Sequence, residues 1–135
     1  MSLRFLKFEC EKDWENVSCY LMSNFIKGKT RNYVKYTTNG GRGHKQWGLD
    51  LVPYKEAGQS APPYFGQAKH YLALTVKDIE KELIKTDGYS GEIEAFVIWT
   101  TATPHPEVQL KLREKWWYTR QGEHSKECKR FRVFV

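Results

Sequence analysis

Apolar residues recur at helical spacing early in the chain. Trp14, Val17, Leu21 and Phe25 stand at i, i+3, i+7 and i+11, one stripe along a helix predicted over residues 13–27. Asp13 is placed to cap its start and Gly28 to stop it. The period then shortens to two. Over residues 32–38, Tyr33, Lys35 and Thr37 alternate with Val34, Tyr36 and Thr38, which predicts a strand. A glycine-rich turn follows, then two further strand-like runs over 46–54 and 64–71, separated by a loop of Gly, Ser, Ala and Pro at 58–63.

Helical spacing returns at Thr75-Val76-Lys77-Asp78, which has the form of a capping box, with Val76, Ile79, Leu83 and Ile84 on one face and Asp87-Gly88 at its end. The largely apolar residues 93–100 read as a buried strand. Pro106 suits the first turn of another helix, with Val108, Leu112 and Trp116 along one side, and residues 130–135 are a last strand candidate. The predicted order is α-β-β-β-α-β, then a helix and a strand: an α/β fold. Neither a repeat nor a linker divides the 135 residues, so we expect a single domain spanning 1–135, either entire or one module of a longer protein.

Composition narrows the class. Hydrophobic residues are 40% of the chain and charged residues 28%, ordinary for a globular protein, and no stretch approaches the roughly 20 apolar residues of a membrane span. Cys10, Cys19 and Cys128 are odd in number and lack metal-ligand spacing. With no secretion signal read at the N-terminus, a reduced, cytoplasmic protein without a membrane partner is expected. The formal charge of +6 is concentrated: from Lys111 onward eight basic residues face three acids. Such an end suits a polyanionic partner, DNA above all, though a solvated surface has the same signature.

Two runs carry candidate chemistry. Asp50 sits between Leu49 and Leu51, so strand alternation points it away from the face those two bury. Gln67 and Lys69 are two apart and share a face of the next run. If the two strands pair, a carboxylate, an amide and an ammonium converge. A hard cation, Mg²⁺ with Mn²⁺ as the alternative, takes oxygen ligands, which Asp50, the Gln67 amide and the Ala68 carbonyl offer. Lys69 is suited to orienting a water or neutralising charge on a phosphate. Each residue alone has a plain reading as solvated surface.

Their order resembles the PD-(D/E)XK nuclease superfamily, and within it the Mrr-like restriction endonuclease branch. The resemblance spans residues 11–117. It rests on Trp14-Glu15-Asn16-Val17, on Gly48-Leu49-Asp50, on Gly66-Gln67-Ala68-Lys69, and on the helix, strand and Pro106 helix that follow. It implies a restriction-endonuclease-like core with a mixed central sheet flanked by helices, and a metal-dependent DNA endonuclease in restriction or antiphage defence. By position it makes Asp50 the principal metal ligand, Lys69 the catalytic lysine, and Gln67 the replacement for the superfamily's second acid. Glu15 matches a helix acid that completes such sites, and equally reads as a solvated first-turn glutamate; Glu11 is the fallback.

Arg42, His44 and Lys45, in the glycine-rich loop before Asp50, are candidate contacts to nucleic acid, as are Lys115 and Arg120; a simple hairpin turn explains the glycines as well. His70 is expected to be structural, and Trp116 to pack in the core, although Trp116-Trp117-Tyr118 has the makings of a base-stacking platform. Cutting both strands of a duplex needs two active sites, so a homodimer or a larger assembly is expected. Two other functions remain open on the sequence: a non-catalytic nucleic-acid-binding domain, and a structural or protein-interaction domain.

Overall fold

The computed structural model describes residues 11–38, 47–54, 62–69, 73–121 and 130–135. In chain order the elements are α1 (Glu11–Thr30), β1 (Tyr36–Thr38), β2 (Leu51–Pro53), β3 (Tyr64–Lys69), α2 (Val76–Lys85) with a 3₁₀ turn (Thr86–Gly88), β4 (Ala95–Thr100), α3 (Pro106–Arg113), β5 (Trp117–Thr119) and β6 (Arg130–Phe134). The strands form one mixed sheet in the order β1-β2-β3-β4-β6-β5. β1, β2 and β3 run antiparallel in turn, β4 is parallel to β3 and to β6, and β5 is antiparallel to β6.

Helices cover both faces. All six residues of β4 are buried, and their alternation divides the core. Val97 and Trp99 pack with Leu51 and Tyr36 under Trp14, Met22 and Ile26 of α1. Phe96 and Ile98 pack with Leu49, Phe65, Phe131 and Val133 under Ile79 and Leu83 of α2 and Val108 of α3. Near-continuous apolar sequence in β4 is what a strand covered on both sides requires. The β3-to-β4 and β4-to-β6 crossovers thus set α2 and α3 on the same face. α1 is fixed to the opposite face partly by polar contacts: Trp14 Nε1 donates to the Trp99 carbonyl at 2.9 Å, and Trp99 Nε1 to Met22 Sδ at 3.3 Å.

Several boundaries differ from the pattern. α1 runs from Glu11 through Gly28 to Thr30, so Asp13 lies within the helix and Gly28 does not end it. Nothing lies within 4 Å of a Cβ placed at Gly28, so the helix passes this residue without obstruction. Its most buried line is Trp14, Ser18, Met22 and Ile26, while Val17, Leu21 and Phe25 are half-buried beside it. β1 and β2 are three residues each, shorter than the alternating runs that contain them, because they pair only over Tyr36–Thr38 and Leu51–Pro53. β5 was not anticipated as a strand. α2 begins as read, with Thr75 Oγ1 accepting from the Asp78 backbone and Asp78 accepting from the Thr75 backbone. His105, given no role by the sequence, caps α3: its Nδ1 accepts from the Glu107 amide at 3.3 Å.

Candidate active site

The candidate residues gather at the carboxyl end of β3. β2 pairs with β3 only at Leu51 opposite Gly66, so beyond that point the flank of β3 is left to the residues preceding β2. Those residues enter through a tight turn. Trp47 and Gly48 both have positive φ (50° and 77°), and at Gly48 a side chain is unfavourable because a Cβ would also meet the Glu82 carbonyl at 3.2 Å.

The turn corrects the expected geometry of Asp50. Leu49 and Leu51 bury into opposite sides of the sheet, Leu49 beneath α2 and Leu51 beneath α1. Residues 49 and 50 precede the ladder, so strict strand alternation does not govern them. Asp50 is instead aimed along the sheet at β3: its Oδ2 accepts from the Ala68 amide at 3.4 Å. A strand residue's N–H and C=O point to the same flank. The Ala68 carbonyl therefore also faces the Asp50 side, whereas the Lys69 carbonyl faces β4 and accepts from Thr101 at 3.3 Å.

Gln67 and Lys69 share the α2 face of β3, as their spacing requires, and both reach an acid the sequence reading missed. Gln67 Nε2 donates to Glu82 Oε2 at 2.6 Å and to the Gly48 carbonyl at 3.2 Å. Lys69 Nζ lies 3.0 Å from Glu82 Oε1, and Lys85 Nζ lies 2.9 Å from Oε2. Glu82 is 8% exposed and Gln67 2%. With both amide protons engaged, the orientation of Gln67 is set, and its Oε1 is left buried without a hydrogen-bond partner. One signal for Glu82 was present: it stands three residues after Ile79 and beside Leu83, on the buried side of an otherwise charged helix.

Charge at the site is unevenly solvated. Burial pushes the Asp50 carboxyl up to about 6, against the lowering effects of the Ala68 amide and the Lys69 ammonium; Glu15 and Glu82 add repulsion that raises it further. Glu15, on α1, is thus near enough to act on Asp50 electrostatically. Burial also penalises the Glu82 carboxylate, but hydrogen bonds from Lys85, Lys69 and Gln67 outweigh it and hold that group below its usual value. Among the described residues no three His, Cys, Asp or Glu side chains group so as to hold a metal ion; the oxygen donors here are one carboxylate, an amide and a carbonyl.

Other candidates are placed elsewhere. Arg120 was expected on a DNA-facing surface but is 3% exposed. Its guanidinium donates to the carbonyls of Gly91, Thr86 and Tyr89, closing the loop after α2, and a group so engaged has no face left for phosphate. Lys115 is exposed just beyond α3, in a left-handed conformation (φ 68°). Trp116 is in the core as expected, while Trp117 is exposed and Tyr118 donates to Asp87. Arg42, His44 and Lys45, with His70, lie outside the described residues, as do Cys10 and Cys128.

Comparison of the chain with protein-family models, with curated proteins and with solved structures gives no match in any of the three.

Proposed function

We propose that this domain is a divalent-cation-dependent nuclease that hydrolyses DNA phosphodiester bonds at the carboxyl end of β3. One observation carries the reading: Asp50 hydrogen-bonds the backbone of Ala68, the residue between Gln67 and Lys69. A desolvated carboxylate, a fixed amide and an ammonium thus belong to one neighbourhood, contributed by two adjacent chain segments. The α-β-β-β-α-β order with helices on both faces of a mixed sheet supports a restriction-endonuclease-like core. The resemblance in the motifs around Asp50 and Lys69 supports the nuclease assignment within it.

The donors fit Mg²⁺ or Mn²⁺. Gln67 Oε1 is a buried acceptor with nothing to accept, and the Ala68 carbonyl faces the flank that Asp50 occupies. Mg²⁺ commonly takes one or two carboxylates and completes its shell with water and substrate phosphate, so a single acid is compatible with it. A buried carboxylate pushed up to about 6 also gains from a neighbouring cation. Bound to Asp50, Gln67 and Ala68, the cation would polarise the phosphate and acidify a water. Glu82 holds Lys69 in position to stabilise charge developing on the phosphate or to orient the attacking water. Glu15 would add a second carboxylate from α1.

The surface beside the site suits a phosphate backbone. Lys77, Lys81 and Lys85 are exposed along α2 at four-residue intervals, about 6 Å apart, and Lys85, the last of the row, pairs with Glu82. Duplex cleavage by such a domain calls for a second active site, from a homodimer or from a larger assembly, and its context would be restriction or antiphage defence in the cytoplasm.

A plasmid-nicking assay with Mg²⁺ and with Mn²⁺ tests the proposal. The wild type should nick only with metal, and Asp50→Ala and Lys69→Ala should each lose activity by a factor on the order of 100 or more while still binding DNA. Equal cleavage by wild type and both variants would refute the site. DNA binding without cleavage under any metal would leave a non-catalytic nucleic-acid-binding domain.

A further inference from the structure

A second site stands at the opposite end of the sheet. The first residues of β3 and β4, Tyr64 and Ala95, with the carboxyl half of α1 and strands β5 and β6, enclose a cavity of about 330 Å³. Tyr64 and Lys69 are the two ends of β3, about 16 Å apart at strand rise, so this cavity shares no residue with the candidate active site. Its size is at the small end of the range for small-molecule pockets.

The lining pairs aromatic faces with cations. Lys29 Nζ lies 5.0 Å from the ring centre of Phe134 and 5.7 Å from that of Phe25. The Arg130 guanidinium lies 4.5 Å from the centre of Trp117, and that of Arg132 lies 5.1 Å from Phe134 and 5.7 Å from Trp117. The ion pairs of Lys69 and Lys85 with Glu82 lie at the other end of β3 and involve none of these three cations. Arg132 Nε is buried with no acceptor. Trp117, by contrast, is 46% exposed. Guanidinium and ammonium groups held against aromatic rings without a carboxylate partner keep donors available to an anion.

Fixed cations over aromatic rings, with an open indole, select a ligand that is both anionic and flat. Guanidinium groups are matched to phosphate, and every nucleobase has a face that stacks on an aromatic ring. Glu92 and Glu94 also line the cavity, and Glu94 is hydrogen-bonded to Tyr64. An alkyl chain would use none of these groups. We infer that this cavity binds a nucleoside monophosphate, its base against Trp117 and Phe134 and its phosphate on Arg130, Arg132 and Lys29. The same chemistry is presented by a free nucleotide and by the 5′-phosphorylated end of a strand.

Calorimetric titration of the whole chain with AMP, GMP, a 5′-phosphorylated tetranucleotide, adenosine and inorganic phosphate tests this. At least one of the three phosphorylated nucleotide ligands should bind saturably, and more tightly than adenosine or phosphate. Trp117→Ala and Arg132→Gln should each weaken it about tenfold or more, Lys29→Gln several-fold, and Arg113→Gln, exposed on α3, not at all. Preference for AMP or GMP over the tetranucleotide identifies the free molecule, and the reverse identifies a strand end. Trp117 and Lys29 are exposed, so those variants keep the test valid if Arg132→Gln does not fold. Absence of saturable binding, equal binding of inorganic phosphate and AMP, or affinity unchanged in Trp117→Ala and Lys29→Gln overturns the inference. Because the cavity contains none of Asp50, Gln67, Lys69 and Glu82, loss of the nuclease reading leaves this one standing, and the converse also holds.

Discussion

Asp50 shows how a single residue can oppose stability at the candidate site. Its folded-state pKa, about 6, lies above that of the unfolded chain, near 4. The native state therefore holds the proton more tightly than the unfolded state. Below about pH 4 the residue is protonated in both and costs nothing; as pH rises past 6 the penalty reaches about 3 kcal/mol. Asp50→Asn should accordingly raise unfolding free energy by about 3 kcal/mol at pH 8, with the gain vanishing below about pH 4. Urea melts across that range check it, and a gain independent of pH would remove burial of charge as its cause. That Asp50 carries the candidate chemistry was legible from its setting among apolar residues. Its direction was not, because the left-handed turn at Trp47 and Gly48 puts Leu49 and Leu51 on opposite faces and suspends the alternation rule where it was applied.

At the scale of elements, α2 and β3 act as one unit through Glu82, which binds Gln67, Lys69 and Lys85 at once. A depressed carboxyl stabilises the fold above its unfolded pKa, and that contribution is lost as pH falls through the folded value. Glu82→Gln leaves Lys69 facing a neutral group and should cost about 2–3 kcal/mol at pH 8. The difference from wild type should shrink on acidification, the opposite slope to Asp50→Asn. Chemical denaturation at pH 3.5 and 8 distinguishes them; a loss that grows in acid would contradict the ion-pair account. α2 itself was readable because capping box and apolar face agree. Glu82 was not, since Lys77, Glu80, Lys81 and Lys85 around it follow a solvated pattern and only tertiary packing singles it out. β5 escaped notice for a related reason: Trp116-Trp117-Tyr118 has no polar alternation, and Trp117 and Thr119 are exposed. Residues 32–35 alternate like a strand yet lie outside the ladder, held to it where the Lys35 carbonyl accepts from the Tyr54 amide at 2.7 Å.

For the molecule as a whole, the sheet separates two polar ends. One holds Asp50, Gln67, Lys69 and Glu82, flanked by the lysines of α2; the other holds the cation-lined cavity around Trp117. If the first end tracks a DNA backbone, Lys77 and Lys81 each neutralise a phosphate. The double variant Lys77→Ala/Lys81→Ala should then flatten the plot of log affinity against log salt by about two, equally for unrelated sequences. Fluorescence anisotropy at several salt concentrations measures it, and an unchanged slope would move the DNA track off α2.

The outermost strands, β1 and β5, are each three residues long. So brief a row of open amides and carbonyls offers little template for another chain to add to, the usual safeguard against fibre-like stacking in β-rich proteins. Exposed apolar side chains such as Ile84 and Leu110 on the helical faces are then the alternative to strand addition, and their truncation would leave the sheet undisturbed.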